Sequence, residues 1–147
     1  NEMLDSGLVE VQNHTYNLHL KANGRTGCMR KSGESFEDYR AALYDDIDPF
    51  QDQISLMTGS IPTTFAYPYG RYSDVSDQIL KEMGFKATLT CDFGINLITK
   101  DPDDLFELKR MCRSSNRGIG QVIDKGVEAL KYQKLASEKN STQTLAK

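Results

Sequence analysis

The order of apolar segments along this chain predicts an α/β protein built from parallel βαβ units. Three short runs have the composition of strands, at residues 8–12, 63–67 and 85–91. Two segments with apolar side chains at helical spacing lie between them, at residues 35–59 and 73–83. A strand, a helix and a second strand in succession are typical of a parallel sheet covered by helices. The 147 residues, 38% of them apolar, are sufficient for one domain with its own core.

The longer of the two helices carries signals for its start and its end. Ser35 followed by Asp38 predicts a capping box, and Gly59 is suited to the left-handed position that follows a helix. Pro49 interrupts the segment, so either a kink or a new helix with Asp48 as N-cap is expected there. The apolar positions keep one phase across the proline, which favours a single kinked helix.

Composition also assigns the remaining segments. They are the end of a helix at residues 2–7, a long glycine-rich loop at 17–33, a short strand at 105–111 and a last helix at 120–134. Residues 137–147 are polar, offer little surface to bury and are expected to be a disordered tail. The domain is therefore expected to span residues 1–136.

Charge and hydropathy exclude several classes of function. The net charge is −3 and the 18 basic residues are scattered, which argues against a nucleic-acid partner. No apolar run is long enough to cross a membrane, and the first residues lack the pattern of a signal peptide, so an export signal is expected outside residues 1–147. The three cysteines are too widely spaced for a disulfide framework, and Cys91 is expected in the core while Cys28 and Cys112 lie in polar surroundings.

Both histidines of the chain, His14 and His19, follow the first predicted strand. Imidazole is a common zinc ligand, so the pair is a candidate half of a metal site, with a third ligand expected from elsewhere in the fold. In parallel α/β proteins, functional residues gather where the strands end. His14, residues 67–70 and Asp92 each follow a predicted strand and are expected at one rim of the sheet.

Three motifs in this order resemble the polysaccharide deacetylases of the NodB-homology type, carbohydrate esterase family 4. They are His-Thr-Tyr-Asn-Leu-His at 14–19, Thr-Phe-Ala-Tyr-Pro-Tyr-Gly at 64–70 and Leu-Lys-Glu-Met-Gly-Phe-Lys-Ala-Thr-Leu at 80–89. The resemblance extends over residues 1–117. It implies a distorted (β/α) barrel, here partial and without its N-terminal strands.

The resemblance implies an enzyme that removes acetyl groups from N-acetylated glycans at the surface of a bacterium, with an acetylated polysaccharide or a peptidoglycan glycan as partner. It implies a divalent metal, zinc in many members, with His14 and His19 in the positions of the two histidine ligands. The backbone amide of Tyr69 is implied as a donor to the oxyanion. Five residues are expected to bind substrate, namely Tyr67, Pro68, Tyr69, Gly70 and Asp92.

Departures from the family pattern limit the chemistry expected of this chain. The Asp-Asp motif that supplies the base and the metal aspartate is expected before residue 1, and no histidine follows His19 to act as the acid. The two histidines are five residues apart rather than the usual four, and Ala66 occupies the place of an arginine. Little or no activity is therefore expected of the chain alone.

Two alternatives remain open. The chain could be a non-catalytic glycan-binding or structural relative, or an α/β interaction domain whose histidines are incidental. A sheet without its first strands exposes an unpaired edge, which favours homodimerisation. Asp45, Asp46 and Asp48 are expected to form a solvated acidic face of the long helix.

Overall fold

In a computed structural model that describes residues 2–20, 24–112 and 118–144, the chain is mostly helical with a small parallel sheet. The helices are α1 (Glu2–Asp5), α2 (Phe36–Thr58), α3 (Ser76–Glu82) and α4 (Ile119–Thr144), and the strands are β1 (Thr64–Ala66) and β2 (Ala87–Leu89). Two 3₁₀ turns lie at Pro68–Gly70 and Pro102–Leu105. The chain divides into two units, the first comprising Asn1–Cys91 and Ile98–Leu108, the second Asp92–Leu97 and Lys109–Lys147.

The sheet of the first unit contains the predicted strands at 63–67 and 85–91 in shortened form. Strands β1 and β2 pair in parallel, with Phe65 opposite Thr88. A single parallel bridge joins Asn13 to the outer side of β1, and another joins Leu108 to β2. The predicted parallel order of the sheet is therefore confirmed.

The segments predicted as strands at 8–12 and 105–111 do not form strands. Near each of them the structure has one isolated bridge, at Asn13 and at Leu108. Before Asn13, the side-chain oxygen of Gln12 accepts the N–H groups of Thr63 and Thr64, at 2.9 and 2.8 Å, and thereby takes the place of a backbone ladder. Around Leu108, the preceding Glu107 has φ 59°, which interrupts an extended backbone. Leu8 is 89% exposed, so the apolar run at 8–12 is not part of the core. A homodimer through this edge stays a prediction.

Helix α2 is continuous across Pro49, as the phase of its apolar positions predicts. Ser35 is the N-cap, as predicted, because the Asp38 amide donates to Ser35 Oγ at 3.0 Å. The Asp38 carboxylate accepts from the Ser35 hydroxyl at 2.7 Å rather than from its backbone amide, so the second half of the predicted capping box takes a different form. Gly59 ends the helix with φ 74°. The buried face of α2 packs in the core of the first unit, which consists of Cys28, Tyr39, Leu43, Ile47, Phe65, Tyr67, Ile79, Leu80 and Phe85.

The ends of two other helices differ from the prediction. Helix α3 begins at Ser76 rather than Ser73, because the Ser73 amide donates to Ser76 Oγ and forms a turn before the helix. Helix α4 continues to Thr144, past the end predicted at residue 134 and through most of the tail predicted to be disordered. No glycine or proline follows Gly126, so the sequence contains no stop signal there. Residues 145–147 lie outside the described residues, and the domain boundary at 136 stays a prediction.

Two predictions about cysteines are wrong. Cys28 is fully buried, and burial raises the pKa of its thiol. The segment around it enters the core because the Cys28 amide donates to the Arg71 carbonyl and its own carbonyl accepts from the Tyr39 hydroxyl. Cys91 is exposed, since it lies just past the end of β2. Within the described residues, no helix is both long and apolar enough to cross a membrane.

A nearly buried ion pair closes the loop before α2. Arg25 and Glu34 lie 2.5 Å apart, with side chains only 6% and 11% exposed. Burial raises the pKa of the Glu34 carboxyl, but the hydrogen bonds from Arg25 and the Lys31 amide, together with the charges of Arg25 and Lys31, outweigh burial, and the pKa lies below its ordinary value of 4.5. The charged form of Glu34 therefore stabilises the folded state above that pH, and this contribution is lost as the pH falls through the lowered pKa.

Glu34→Gln is expected to lower the free energy of unfolding by about 3 kcal/mol at pH 7, because it leaves the buried guanidinium without a counter-charge. The difference from wild type should shrink as the pH falls below 4.5, the ordinary pKa of the carboxyl. Urea unfolding at pH 7 and pH 4 measures both values. Glu37→Gln, at an exposed position, is the matched control. If Glu34→Gln lowered the free energy of unfolding equally at both pH values, the stabilising role assigned to the ion pair would be contradicted.

Candidate metal and substrate site

His14 is positioned by the bridge between Asn13 and the sheet. The Asn13 amide donates to the Thr64 carbonyl at 3.2 Å, and the Ala66 amide donates to the Asn13 carbonyl at 3.0 Å. His14 Nδ1 lies 2.6 Å from the Ala66 carbonyl oxygen. Since a carbonyl oxygen only accepts, Nδ1 is the donor in this contact, and in the neutral imidazole the lone pair is then on Nε2. Metal-ligating histidines commonly have this arrangement, with one nitrogen fixed on a carbonyl and the other on the metal.

A tight turn follows His14 and brings the chain back towards it. Thr15 has φ 69°, a left-handed conformation that is rare for a β-branched residue, and its amide donates to Asn13 Oδ1 at 2.8 Å. The next two amides, of Tyr16 and Asn17, each donate to the carboxylate of Asp46 at 2.8 Å. The link between the histidines is therefore fixed on helix α2.

Three exposed rings meet at the end of β1, namely those of His14, His19 and Tyr69. The ring centroids of His14 and His19 are 5.1 Å apart, and those of His19 and Tyr69 are 4.3 Å apart. The Tyr69 hydroxyl also donates to the His19 carbonyl. We call these three residues the ring cluster. The five-residue spacing of the histidines thus brings both imidazoles together, as the hypothesis of a shared metal requires.

The separation of the imidazoles fits two ligands of one ion. With metal–nitrogen bonds of 2.0–2.1 Å and tetrahedral angles, two imidazole centroids lie roughly 5 Å apart. An ordinary edge-to-face ring pair has a similar separation, so the contact between His14 Nδ1 and the Ala66 carbonyl is the more specific observation. Across the residues that the structure describes, no group of three or more His, Cys, Asp or Glu side chains is arranged to hold a metal.

The turn at Pro68–Gly70 holds Tyr69 beside the histidines. Tyr69 and Gly70 both have left-handed φ values, 59° and 61°. A Cβ at Gly70 would lie 2.7 Å from the Cβ and the amide nitrogen of Cys91, and one at Gly27 would lie 2.5 Å from the Pro68 carbonyl oxygen. Only glycine fits at either position, so backbone packing from both sides fixes the turn.

The residues predicted to bind substrate differ in their exposure. Tyr69 is 41% exposed in the ring cluster, whereas Tyr67 and Pro68 are buried. The Tyr67 hydroxyl donates to the Asp77 carboxylate at 2.6 Å, and burial together with that carboxylate raises the pKa of the phenol. The Tyr67 side chain is therefore a core residue and does not line an open groove. Asp92 is exposed and belongs to the second unit, so its role stays a prediction.

Several residues that support the site have no motif in the sequence. The side-chain Nδ2 of Asn13 donates to Gln51 Oε1 at 2.8 Å, and Gln51 Nε2 donates in turn to the Pro62 carbonyl at 2.6 Å. This chain of bonds connects the residue before His14 to helix α2. Asp46, predicted to be part of a solvated acidic face, instead accepts the two amides of the histidine turn. The one sequence signal for these supporting hydrogen bonds is Asn13, a polar residue directly before the candidate ligand His14.

Comparison with known proteins places these motifs in one family. The sequence profile described as "Polysaccharide deacetylase" matches residues 1–88. Poly-beta-1,6-N-acetyl-D-glucosamine N-deacetylases of Staphylococcus aureus strains MSSA476 and N315 are 29% identical over 86 residues, which is 58% of this chain. The chain spans only 27% of the length of these curated relatives.

Solved structures agree with the sequence comparison. IcaB from Ammonifex degensii is 26% identical with a TM-score of 0.62, over 78% of this chain and 46% of that one. The BpsB deacetylase domain from Bordetella bronchiseptica is 28% identical with a TM-score of 0.57, over 74% and 45% of the two chains. A de-N-acetylase from Aggregatibacter actinomycetemcomitans, 23% identical, shares the fold with a TM-score of 0.63 over 84% and 50%.

Proposed function

Because this chain belongs to the polysaccharide deacetylase family, we propose that it forms part of a metal-dependent deacetylase that hydrolyses the acetamide groups of N-acetylated glycans. The observation that carries the proposal is the His14 imidazole, whose Nδ1 is fixed on the Ala66 carbonyl next to the ring of His19. We place the small parallel sheet and its flanking bridges in a partial, distorted (β/α) barrel. The deacetylase names of the relatives at 26–29% identity support the same reaction class.

His14 and His19 are the proposed protein ligands of the metal, for which we propose zinc. When bound, a divalent ion supplies Lewis-acid polarisation of the acetyl carbonyl and activates water for attack. Zinc in hydrolases usually takes three protein ligands, so we expect a carboxylate to complete the set of two histidines. Because His14 Nδ1 is engaged by the Ala66 carbonyl, Nε2 is the nitrogen proposed to bind the metal.

Tyr69 is the proposed contact with the substrate. The Gly70 and Arg71 amides donate within the turn, to the carbonyls of Tyr67 and Pro68 at 2.9 and 3.0 Å. The Tyr69 amide is therefore the proposed donor to the oxyanion, since a preorganised N–H group stabilises charge that develops on the acetyl oxygen. The partly exposed Tyr69 ring offers a flat apolar surface for a sugar.

We propose that the chain alone has little or no deacetylase activity. A general acid is missing from the proposed set, because His14 and His19 are the only histidines of the sequence and both are assigned to the metal. If the chain alone does not deacetylate, binding of glycans without catalysis is the alternative function. We place the protein in the envelope or outside the cell of a bacterium, since the named relatives are bacterial.

Binding of β-1,6-linked N-acetylglucosamine oligomers tests the proposed substrate class. Titration of the zinc-loaded chain, followed by NMR, should shift the signals of Tyr69 and His19. Tyr69→Ala should weaken binding by about two- to tenfold, the loss expected for one aromatic contact of roughly 0.5–1.5 kcal/mol. Tyr132→Ala, at another exposed tyrosine, is the control and should bind like wild type.

Two results of this titration would count against the proposal. Equal binding of the fully deacetylated oligomer would show that the acetyl group is not recognised. Robust release of acetate by the purified chain would contradict the proposed lack of activity, while leaving the family and the metal ligands intact.

A further inference from the structure

We propose that the carboxylate of Asp46 is a positioning group that holds the His14 and His19 imidazoles at the separation needed for one metal ion. This inference rests on the proposed function, since it assigns a role to a residue that supports the two ligands. Asp46 lies on helix α2 and does not touch the metal site itself; it acts through the backbone that joins the two histidines.

The contacts of Asp46 lie within the link between the ligands. Its two oxygens accept one hydrogen bond each, Oδ1 from the Tyr16 amide and Oδ2 from the Asn17 amide, both at 2.8 Å. Bonds from N–H groups to a charged carboxylate are stronger than those between neutral groups. Both neighbouring core positions of α2, Leu43 and Ile47, are fully buried, so the carboxylate is attached to a rigid part of the first unit.

The link is strained, and for that reason it depends on such support. Thr15 is a β-branched residue at φ 69°, a conformation that such residues rarely adopt and that persists only where surrounding contacts hold it. Its side chain is buried, and Thr15 Oγ1 has no hydrogen-bond partner among the described residues. The bond from the Thr15 amide to Asn13 Oδ1 secures one side of the turn and the Asp46 carboxylate secures the other.

Loss of the carboxylate should therefore relax the turn and separate the imidazoles. In Asp46→Ala both acceptors are removed. In Asp46→Asn one acceptor oxygen remains, but the amide NH₂ group cannot accept the second N–H. A graded loss of zinc affinity is expected, about 10–100-fold for the alanine variant and smaller for the asparagine variant, as for outer-shell partners of metal ligands in general.

Zinc affinity is measured by competition with a chromophoric chelator, on the full chain, at a temperature where circular dichroism shows each variant to be folded. Asp45→Asn, one residue away on the exposed side of α2, changes the charge equally and should leave zinc affinity as in wild type. Amide hydrogen exchange at Tyr16 and Asn17 gives a second readout, and both amides should exchange faster in the Asp46 variants.

The possible outcomes distinguish failure of this inference from failure of the proposed function. Wild-type zinc affinity in both folded Asp46 variants, or an equal loss in Asp45→Asn, would overturn the positioning role alone. Zinc binding that is absent from wild type or independent of His14 would overturn the proposed function. If the alanine variant does not fold, the nearly isosteric asparagine variant decides the question by itself.

Discussion

Replacing His14 by alanine is expected to weaken zinc binding by more than about 100-fold, which exceeds the loss typical of outer-shell partners. The reason is that His14 Nε2 is one of the two nitrogens proposed to hold the ion. Without it, one imidazole is the only proposed protein ligand left, and a single imidazole binds zinc weakly. The same loss is expected for His19→Ala. Chelator competition measures the affinities of the three proteins.

The alanine variant of His14 also removes the hydrogen bond to the Ala66 carbonyl, so a second variant separates the two effects. In His14→Asn the side-chain NH₂ group can occupy the place of Nδ1 and keep that bond, while nothing replaces Nε2. We expect the asparagine variant to fold like wild type and to bind zinc as weakly as the alanine variant. Wild-type affinity in His14→Asn would show that His14 is a structural residue and not a ligand.

Replacing Gly70 by alanine is expected to lower the free energy of unfolding by about 3 kcal/mol. The residue has φ 61°, and an added Cβ would lie 2.7 Å from the backbone nitrogen and the Cβ of Cys91. About 1 kcal/mol comes from the left-handed conformation and the rest from overlap that the packed backbone cannot relieve. Urea unfolding of the variant gives the value.

Gly59→Ala is the matched control for Gly70→Ala. Gly59 has a similar φ of 74°, but an added Cβ there would meet nothing within 4 Å. Its expected cost is therefore only about 1 kcal/mol. Equal losses in the two variants would contradict the claim that close packing against Cys91 fixes the Tyr69 turn.

The helices and strands that carry this site can be predicted from the sequence, because the signals for them lie in short local segments. Ser35 and Gly59 place both ends of α2, and the alternation of apolar runs with helices predicts the parallel order of β1 and β2. Since parallel strands end at one rim, the sequence predicts that His14 and Tyr69 lie close together, and the rings of His14, His19 and Tyr69 do meet in the ring cluster.

The supporting contacts could not be predicted because they depend on long-range packing. Asp46 and Gln51 lie on α2 with the polar periodicity of any solvated helix face, and only the fold brings them to the histidine turn and to Asn13. Tyr67 and Tyr69 both adjoin Pro68, but Tyr67 continues the buried side of β1 with Phe65, whereas Tyr69 lies in the turn at φ 59° and is exposed. The apolar run at 8–12 fails as a strand because a side chain of Gln12 replaces the ladder.

Anomalous X-ray scattering at the zinc edge, from crystals of the zinc-loaded chain, tests the central claim most directly. The claim is that one ion binds His14 and His19 together. We expect a single strong peak about 2.0–2.1 Å from one ring nitrogen of each histidine, with His14 bound through Nε2. A peak that contacts only one of the two imidazoles, or that lies away from the ring cluster, would contradict the account.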